Sequence, residues 1–409
     1  MIQKSERQAD ILRLVETLDI TPTMYKNAEE KYLALASFLE EHGIEAEIYP
    51  QGSFALGTVV RPSAKDPNAA YDLDFICKVP QTRDQISPSA LRQKIEDVLK
   101  SDKRYADRLK KCGECFTIEY ADIGEIGFSI DVVPATNESN KRKLELQRRS
   151  AHPELIETAI AIPRENGEKN YKWLTNNPRG FRTWFDEINR PFLEPVRDKQ
   201  RQRIFEANRL VFASVDKIPK GLERSAMQRV IQILKYHRDV YYLHFENGDD
   251  IKPISAIINT LVAEIAKSAD SNLSVYELLE YVLNELCIYA NRQTMKNNVF
   301  TENYGARSVI SKAEDTGDWR IPNPANPEDN LADKWNQNAQ IPQIFFKWVA
   351  ICKDDLIGSL LKEDSEFRVI TENAFGAVIV QKTWADKYKH NPVVVPRQIT
   401  KTSKPYREC

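Results

Sequence analysis

Between residues 24 and 42 apolar side chains return every three or four positions, as Tyr25, Ala28, Tyr32, Leu35, Phe38 and Leu39. That spacing lines one face of an α-helix, and His42-Gly43 supplies its stop. Residues 3–17 read as a helix too. The period then drops to two. EAEIYP at 45–50 reads as a strand, and YDLDFICKV at 71–79 alternates strongly enough to predict another. Gly52 through Thr58 predicts a turn entering a short helix. Pro88 opens a helix over 88–101, and strands over 114–121 and 126–133 flank a hairpin turn at Asp122-Ile-Gly-Glu.

From about residue 216 the β-branched alternation fades, and helical periodicity runs through 219–246, 253–268, 273–291 and 341–362. Among these lies 321–335, with Pro322, Pro324 and Pro327. Proline fixes φ and Trp335 offers an anchor, so a structured loop is expected. The pattern predicts an α+β protein. Residues 1–215 form a small mixed sheet with helices, 216–391 a helical lobe, and 392–409 a polar tail.

Composition narrows the class. The chain has 409 residues, 42% hydrophobic and 29% charged, which excludes wholesale disorder, collagen-like repeats and a disulfide scaffold. Lys+Arg number 58 against 60 Asp+Glu, a net charge of −2. A near-neutral chain does not coat duplex DNA through bulk charge, so any nucleotide site must be local. No apolar run approaches the ~18–20 residues of a membrane span, and mean hydropathy is −0.52. The N-terminal MIQKSERQADILRLVETL carries no signal-peptide core. A cytoplasmic protein with no membrane partner is expected. Cys77, Cys112, Cys115, Cys287, Cys352 and Cys409 form no framework, which suits a reducing compartment. Cys112-Gly-Glu-Cys115 is a single pair, too few ligands to fill a tetrahedral zinc shell.

Candidate chemistry begins at Tyr71-Asp72-Leu73-Asp74-Phe75-Ile76. On a strand Asp72 and Asp74 share one face, and Leu73 and Phe75 the other. Adjacent ionised carboxylates repel, and a divalent cation offsets the repulsion, with oxygen ligands favouring Mg²⁺. The competing reading is a solvent-facing strand with two unrelated acids. Asp131 shifts the balance, because it interrupts the apolar run FSIDVV at 128–133. A lone buried carboxylate is costly unless a cation or hydrogen bonds compensate. Packed beside the 71–79 strand, it could supply a third ligand. Two metals about 4 Å apart then become possible, the arrangement for in-line displacement at phosphorus. Upstream, in QGSFALGT at 51–58, Gly52 lets backbone approach an anion and Ser53 adds a hydroxyl. A plain Gly-Ser helix cap is the simpler alternative. The order of phosphate cradle, D-x-D strand and isolated Asp is one that handles triphosphates.

This combination resembles the nucleotidyltransferase superfamily of polymerase-β type, whose signature is G-[S/T], then D-x-[D/E], then a third acid. Within it the chain is similar to the bacterial cyclic-oligonucleotide synthases (CD-NTases) related to cyclic GMP-AMP synthase and oligoadenylate synthase. The matching elements are QGSFALGT from Gln51, YDLDFI from Tyr71, SIDVVP from Ser129, MQRVIQILKYHRD from Met227, PISAIINTLVA from Pro253 and NPANPEDNLADKW from Asn323. Together they span roughly residues 20–385. The resemblance implies a polymerase-β-like core with an oligoadenylate-synthase-like helical C-terminal lobe. It implies Asp72, Asp74 and Asp131 as catalytic ligands of Mg²⁺, two ions, with Mn²⁺ a substitute. Gln51, Gly52 and Ser53 would contact donor phosphates, Lys235 would meet the triphosphate, and Ser255 would lie near it. Asp329 or Asn330 would approach the nucleotide from the Asn-Pro loop. From periodicity alone Lys235 also reads as a snorkelling surface lysine, and His237 as a surface residue with no catalytic role.

By the same resemblance, ribonucleoside triphosphates, ATP among them, are joined into a cyclic di- or trinucleotide messenger in CBASS antiphage defence. Regulatory partners are implied, and the C-terminus at Cys409 reads either as a place where a partner conjugates or as an inert end. There is no inserted Cys/His zinc module, so no duplex-DNA activator is expected. The alternative is template-independent transfer to an RNA, protein or small-molecule acceptor. A catalytically dead scaffold is a third reading, against which three intact acids argue. Lys141, Arg142, Lys143, Arg148 and Arg149, and again Arg197, Lys199, Arg201 and Arg203, read as solvated helix faces or as places that steer triphosphates.

Overall fold

The structure is a computed structural model that describes residues 2–61, 70–123, 126–167, 170–207 and 222–389. Helices α1 (Ile2–Glu16) and α2 (Pro22–Glu41) part at Thr21, whose hydroxyl accepts from the Met24 N–H while Pro22 sits in the first turn. α2 buries Met24, Ala28, Leu35, Phe38 and Leu39, close to the stripe its sequence carries.

Among the described residues seven strands form one mixed sheet: β1 (Glu47–Pro50), β2 (Ala70–Thr82), β3 (Leu109–Lys111), β4 (Phe116–Ile123), β5 (Ile126–Asn137), β6 (Ile160–Glu165) and β7 (Tyr171–Asn176). Their order is β1-β2-β5-β4-β3, with β6 joining β5 and β7 lying beside β6. A short α3 (Gly52–Leu56) leads from β1 towards β2. Among the described residues only β2 and β5 pair in parallel. A parallel pair needs a crossover, and α4 (Pro88–Ser101) with the β3–β4 hairpin provides it. Ser87 caps α4 through the Ala90 N–H.

Alternation sorts the two sheet faces. Leu73, Phe75, Cys77 and Val79 of β2 pack with Ile130 and Val132 of β5 against Leu91, Ile95 and Leu99 of α4. The opposite face therefore carries Asp74, Ser129 and Asp131, with a small apolar patch of Ile76, Val133 and Ala135 beyond them.

The second core is helical. After α5 (Asn140–Gln147) it draws on α6 (Pro178–Ala207), α7 (Ala226–Tyr242), α8 (Ser255–Ala266) and α9 (Val275–Tyr289). Further along the chain, α10 (Gln340–Leu356), α11 (Asp364–Phe375) and α12 (Ala377–Trp384) complete it. Ile11, Leu14 and Val15 of α1 join this core although they precede the sheet in sequence. Arg7 is fully buried there, donating to the Leu360 and Lys362 carbonyls and to Asp364.

Several expectations change. The 321–335 segment is a hairpin, β8 (Pro322–Asn323) with β9 (Asn326–Asn330), followed by one helical turn. Trp335 is its buried anchor, 4.9 Å from the Phe345 ring. The 219–246 helix begins only at Ala226, where Ser225 and Gln228 form a capping box; residues 219–221 lie outside the described residues. The 341–362 helix ends at Leu356 and gives way to a 3₁₀ turn. α6 runs for 30 residues through Pro191 and Pro195, which had concealed it. Its burial of Trp184, Phe185 and Phe192 offsets what interior prolines cost. His237 is not on the surface: it is 2% exposed, accepts from Trp348 Nε1 at 3.1 Å and meets Asp355 at 3.1 Å. The tail at 392–409, with Cys409, lies outside the described residues.

Candidate active site

Asp74 on β2 stands in register opposite Asp131 on β5. In a parallel pair such residues point to the same face, so the two carboxylates are neighbours. Asp72 is two residues earlier on β2, in register with Ser129, and its side chain lies outside the described residues. Asp131 accepts a 2.6 Å hydrogen bond from the Thr117 hydroxyl on β4, directly opposite it. Thr117 is a support that sequence reading missed, since nothing in spacing announces a cross-strand pair.

The Gly-Ser turn is pinned to the same strand. The Gln51 N–H donates to the Asp74 carbonyl at 2.8 Å. Gly52 takes φ +64, and a Cβ there would overlap Oδ2 of Asp74. Only glycine both reaches that conformation without strain and leaves the carboxylate its room.

Across the cleft, α7 reaches this turn with one polar stripe. Gln228 donates to the Leu56 carbonyl at 2.8 Å and Gln232 to the Val59 carbonyl at 2.8 Å. Lys235 donates to Ser53 Oγ at 2.7 Å and to the Thr58 carbonyl at 2.9 Å. Spacings of four and three place all three side chains on one helix face. Lys235 is therefore no snorkelling surface residue; it is 3% exposed. Burial pulls its pKa down to about 7, Arg238 adds to the effect, and Asp239 and Asp74 oppose it. Gln228 and Gln232 were missed by the sequence reading, and the signal that could have found them is polar residues on a helix that otherwise buries apolar ones.

A cavity of about 1010 Å³ opens between the lobes. Its sheet side includes Gln51, Gly52, Ser53 and Asp74, and its helical side Lys235 and Ser255. Arg238 holds Ser255 in place, donating to its hydroxyl at 3.3 Å and to the Pro253 carbonyl at 3.0 Å. Asp329 and Asn330 of β9 both line the cavity. Asn330 is committed to backbone, accepting from the Ile321 and Ala332 N–H groups and donating to the Trp319 carbonyl. Asp329 accepts from Asn323 at 2.8 Å, and burial pushes its carboxyl up.

The first basic stretch is largely paired with acids. Arg142 and Arg149 both grip Glu328, the residue before Asp329, and Lys143 bonds Glu157. In the second, Arg201 pairs with Glu223. Asn177, 3% exposed, stitches the lobes further by donating to the Leu155 and Ala325 carbonyls and accepting from the Gly180 N–H.

The donor set fits a hard divalent cation. Asp74 and Asp131 offer only carboxylate oxygens, side by side on one sheet face. No group of three His, Cys, Asp or Glu side chains converges among the described residues, and Asp72 is outside that count. Among the described residues no helix is long and apolar enough to cross a membrane.

Carboxylates side by side on the sheet, with a buried amine on the other wall of the cleft, are groups that suit phosphate chemistry. Residues 7–189 match the family described as Second Messenger Oligonucleotide or Dinucleotide Synthetase domain. A c-di-GMP synthase of Roseivirga ehrenbergii is 23% identical over 352 residues, 85% of this chain and 77% of the relative. The fold is shared with the CD-NTase CdnG of Bradyrhizobium diazoefficiens, solved in complex with GTP. That match has a TM-score of 0.64 at 18% identity, over 92% of this chain and 98% of that one. It is also shared with E. coli MS115-1 CdnC, solved as a complex with HORMA-deltaN, at TM-score 0.54 and 14% identity over 90% and 97% of the two chains. Residues 7–189 are thus similar to the synthetase family, and over most of its length the chain shares the fold of CdnG and CdnC.

Proposed function

We propose that this chain condenses ribonucleoside triphosphates into a cyclic di- or trinucleotide. In each linkage a ribose hydroxyl attacks the α-phosphorus of a triphosphate and pyrophosphate leaves. The observation that carries this reading is Asp74, in register with Asp131, lining one cleft with Ser53 and Lys235. The c-di-GMP synthase relative and the GTP-bound fold neighbour support purine ribonucleotides as substrates.

The chain's own groups divide the work. Gly52 opens the backbone to phosphate, while Ser53 and Lys235 supply a hydroxyl and an amine for its oxygens. Ser255 and Asp329 would contact the nucleotides from the helical side, and Asn330 would hold the backbone from which Asp329 projects. Asp72, Asp74 and Asp131 would hold two Mg²⁺ ions, which when bound neutralise triphosphate charge and acidify the attacking hydroxyl. At about 1010 Å³ the cavity meets the upper limit of single small-molecule sites, ~300–1000 Å³, consistent with two nucleotides side by side. Cyclisation needs such a pair held together, and orientation is a large share of catalysis. The product would act as a cytoplasmic messenger in antiphage defence, and the CdnC:HORMA-deltaN complex supports a regulatory protein partner.

The test is a mass spectrum of products from the pure chain with all four ribonucleotides and Mg²⁺, after phosphatase treatment. A phosphatase-resistant cyclic product, absent with Asp74→Ala, is expected. Products that appear only when RNA or another acceptor is added would replace this reading with acceptor transfer.

A further inference from the structure

β3 and β4 are joined by Cys112-Gly113-Glu114-Cys115. Lys111 pairs with Phe116, so Cys112 and Cys115 stand opposite each other on the next rung, where the Cys112 N–H donates to the Cys115 carbonyl at 3.1 Å. Arg92 of α4, 2% exposed, fixes this turn from the core side. Its Nη2 donates to the carbonyls of both cysteines, and its guanidinium lies 4.5 Å from the Phe116 ring centroid. Both sulfurs converge on one hydroxyl: Thr117 Oγ1 is 3.3 Å from Cys112 Sγ and 3.9 Å from Cys115 Sγ. That hydroxyl is the one that holds Asp131.

We propose that Cys112 and Cys115 form a redox-modified dithiol whose disulfide acts on Asp131 through Thr117. Opposed residues of antiparallel strands have Cα atoms about 4.5–5.5 Å apart, inside the ~4.4–6.8 Å window of a disulfide. Cys112 is exposed, whereas Cys77 and Cys352 are buried. The Cys112 thiolate attacks a low-molecular-weight disulfide such as oxidised glutathione, and one glutathione thiol leaves. Cys115 gives up its proton and displaces the second. The two cysteines lose two protons and two electrons, and the glutathione disulfide is reduced to two thiols. In a reducing compartment the dithiol is the resting form. As thiols, the sulfurs can donate to Thr117 Oγ1 while Thr117 donates to Asp131. The disulfide removes both donors and draws the sulfurs together, which shifts them off Thr117 Oγ1 and takes away the polarisation that strengthens its hydrogen bond to Asp131.

The effect on turnover rests on the proposed nucleotidyl transfer; the modification does not. The full chain is equilibrated with glutathione at graded ratios of disulfide to thiol, alkylated, digested without reduction and weighed. The peptide carrying Cys112 and Cys115 is expected to lose two hydrogens, with no retained glutathione. Turnover should fall by roughly ten-fold in step, the size of one hydrogen bond to a charged group, and recover with dithiothreitol. Cys112→Ser and Cys115→Ser should keep reduced activity and lose the response, and Thr117→Val should form the disulfide without a further fall. Hydrogen exchange in the β5 segment around Asp131, followed on the same samples, should rise on oxidation whether or not product is made. A peptide that keeps its hydrogens under excess oxidant, or a disulfide that leaves both exchange and turnover unchanged, overturns the proposal.

Discussion

Lys235 Nζ lies 2.7 Å from Ser53 Oγ, across 182 residues of sequence. The bond ties the helical lobe to the Gly-Ser turn through an amine whose pKa burial has brought down to about 7. An unfolded lysine titrates near ~10.4. Between these values the unfolded chain binds more protons, so Lys235 lowers stability as pH falls from about 10.4 towards 7, with no further loss below. The stability of Lys235→Met relative to wild type should rise over that window and then level off, as read by denaturant unfolding at stepped pH. A triphosphate bound at the amine favours its charged form. Nucleotide binding near pH 8 should therefore take up a proton, seen as binding heats that differ between buffers of different ionisation enthalpy. Buffer-independent heats would separate Lys235 from the phosphates.

Gly52→Ala tests the close approach to Asp74. The substitution forces a left-handed backbone on alanine, a cost of about 1–2 kcal/mol, and drives a methyl into Oδ2 of Asp74. Both a lower melting temperature and a loss of turnover of at least ten-fold are expected. Gly113→Ala, whose Cβ meets nothing within 4 Å, is the control that should do neither.

Asp74→Asn and Asp131→Asn keep shape and remove charge. If the pair holds the ions that stabilise the transferring phosphoryl group, each change should cost turnover about 10²–10³-fold or more. Circular dichroism and melting should stay near wild type. An active Asp131→Asn enzyme would remove Asp131 from the ligand set.

Two contacts between the lobes should differ in weight. Glu328 is partly exposed, and Arg149 more so, so Glu328→Gln should cost less than about 1 kcal/mol. Its expected signature is a raised KM for nucleotide, because β9 carries Asp329 beside the clamp. Asn177 is buried with its amide fully engaged. Asn177→Ala strands several partners and should cost about 1–3 kcal/mol in unfolding experiments.

The parts legible in the sequence were those with a local period. The 88–101 helix matches the observed bounds, and the 71–79 strand lies inside Ala70–Thr82. Alternation along β2 separated Asp74 from the core residues Leu73 and Phe75. Long-range pairing was not legible. Only a crossover of intervening residues brings Asp131 into register with Asp74, and no spacing rule fixes that register. Lys235 was ambiguous because an amphipathic pattern does not say whether a polar side chain meets water or a second lobe. β6, β7 and α6 went unread, the last because Pro191 and Pro195 suggest a break that buried aromatics override.

The stripe of Gln228, Gln232 and Lys235 has a mechanical consequence. Three bonded side chains in a row along one helix act as a seam, and a seam resists sliding while permitting rotation about its own line. Opening of the cleft should then resemble a book turning on its spine. The carboxylates at the spine would scarcely move as substrates enter and product leaves.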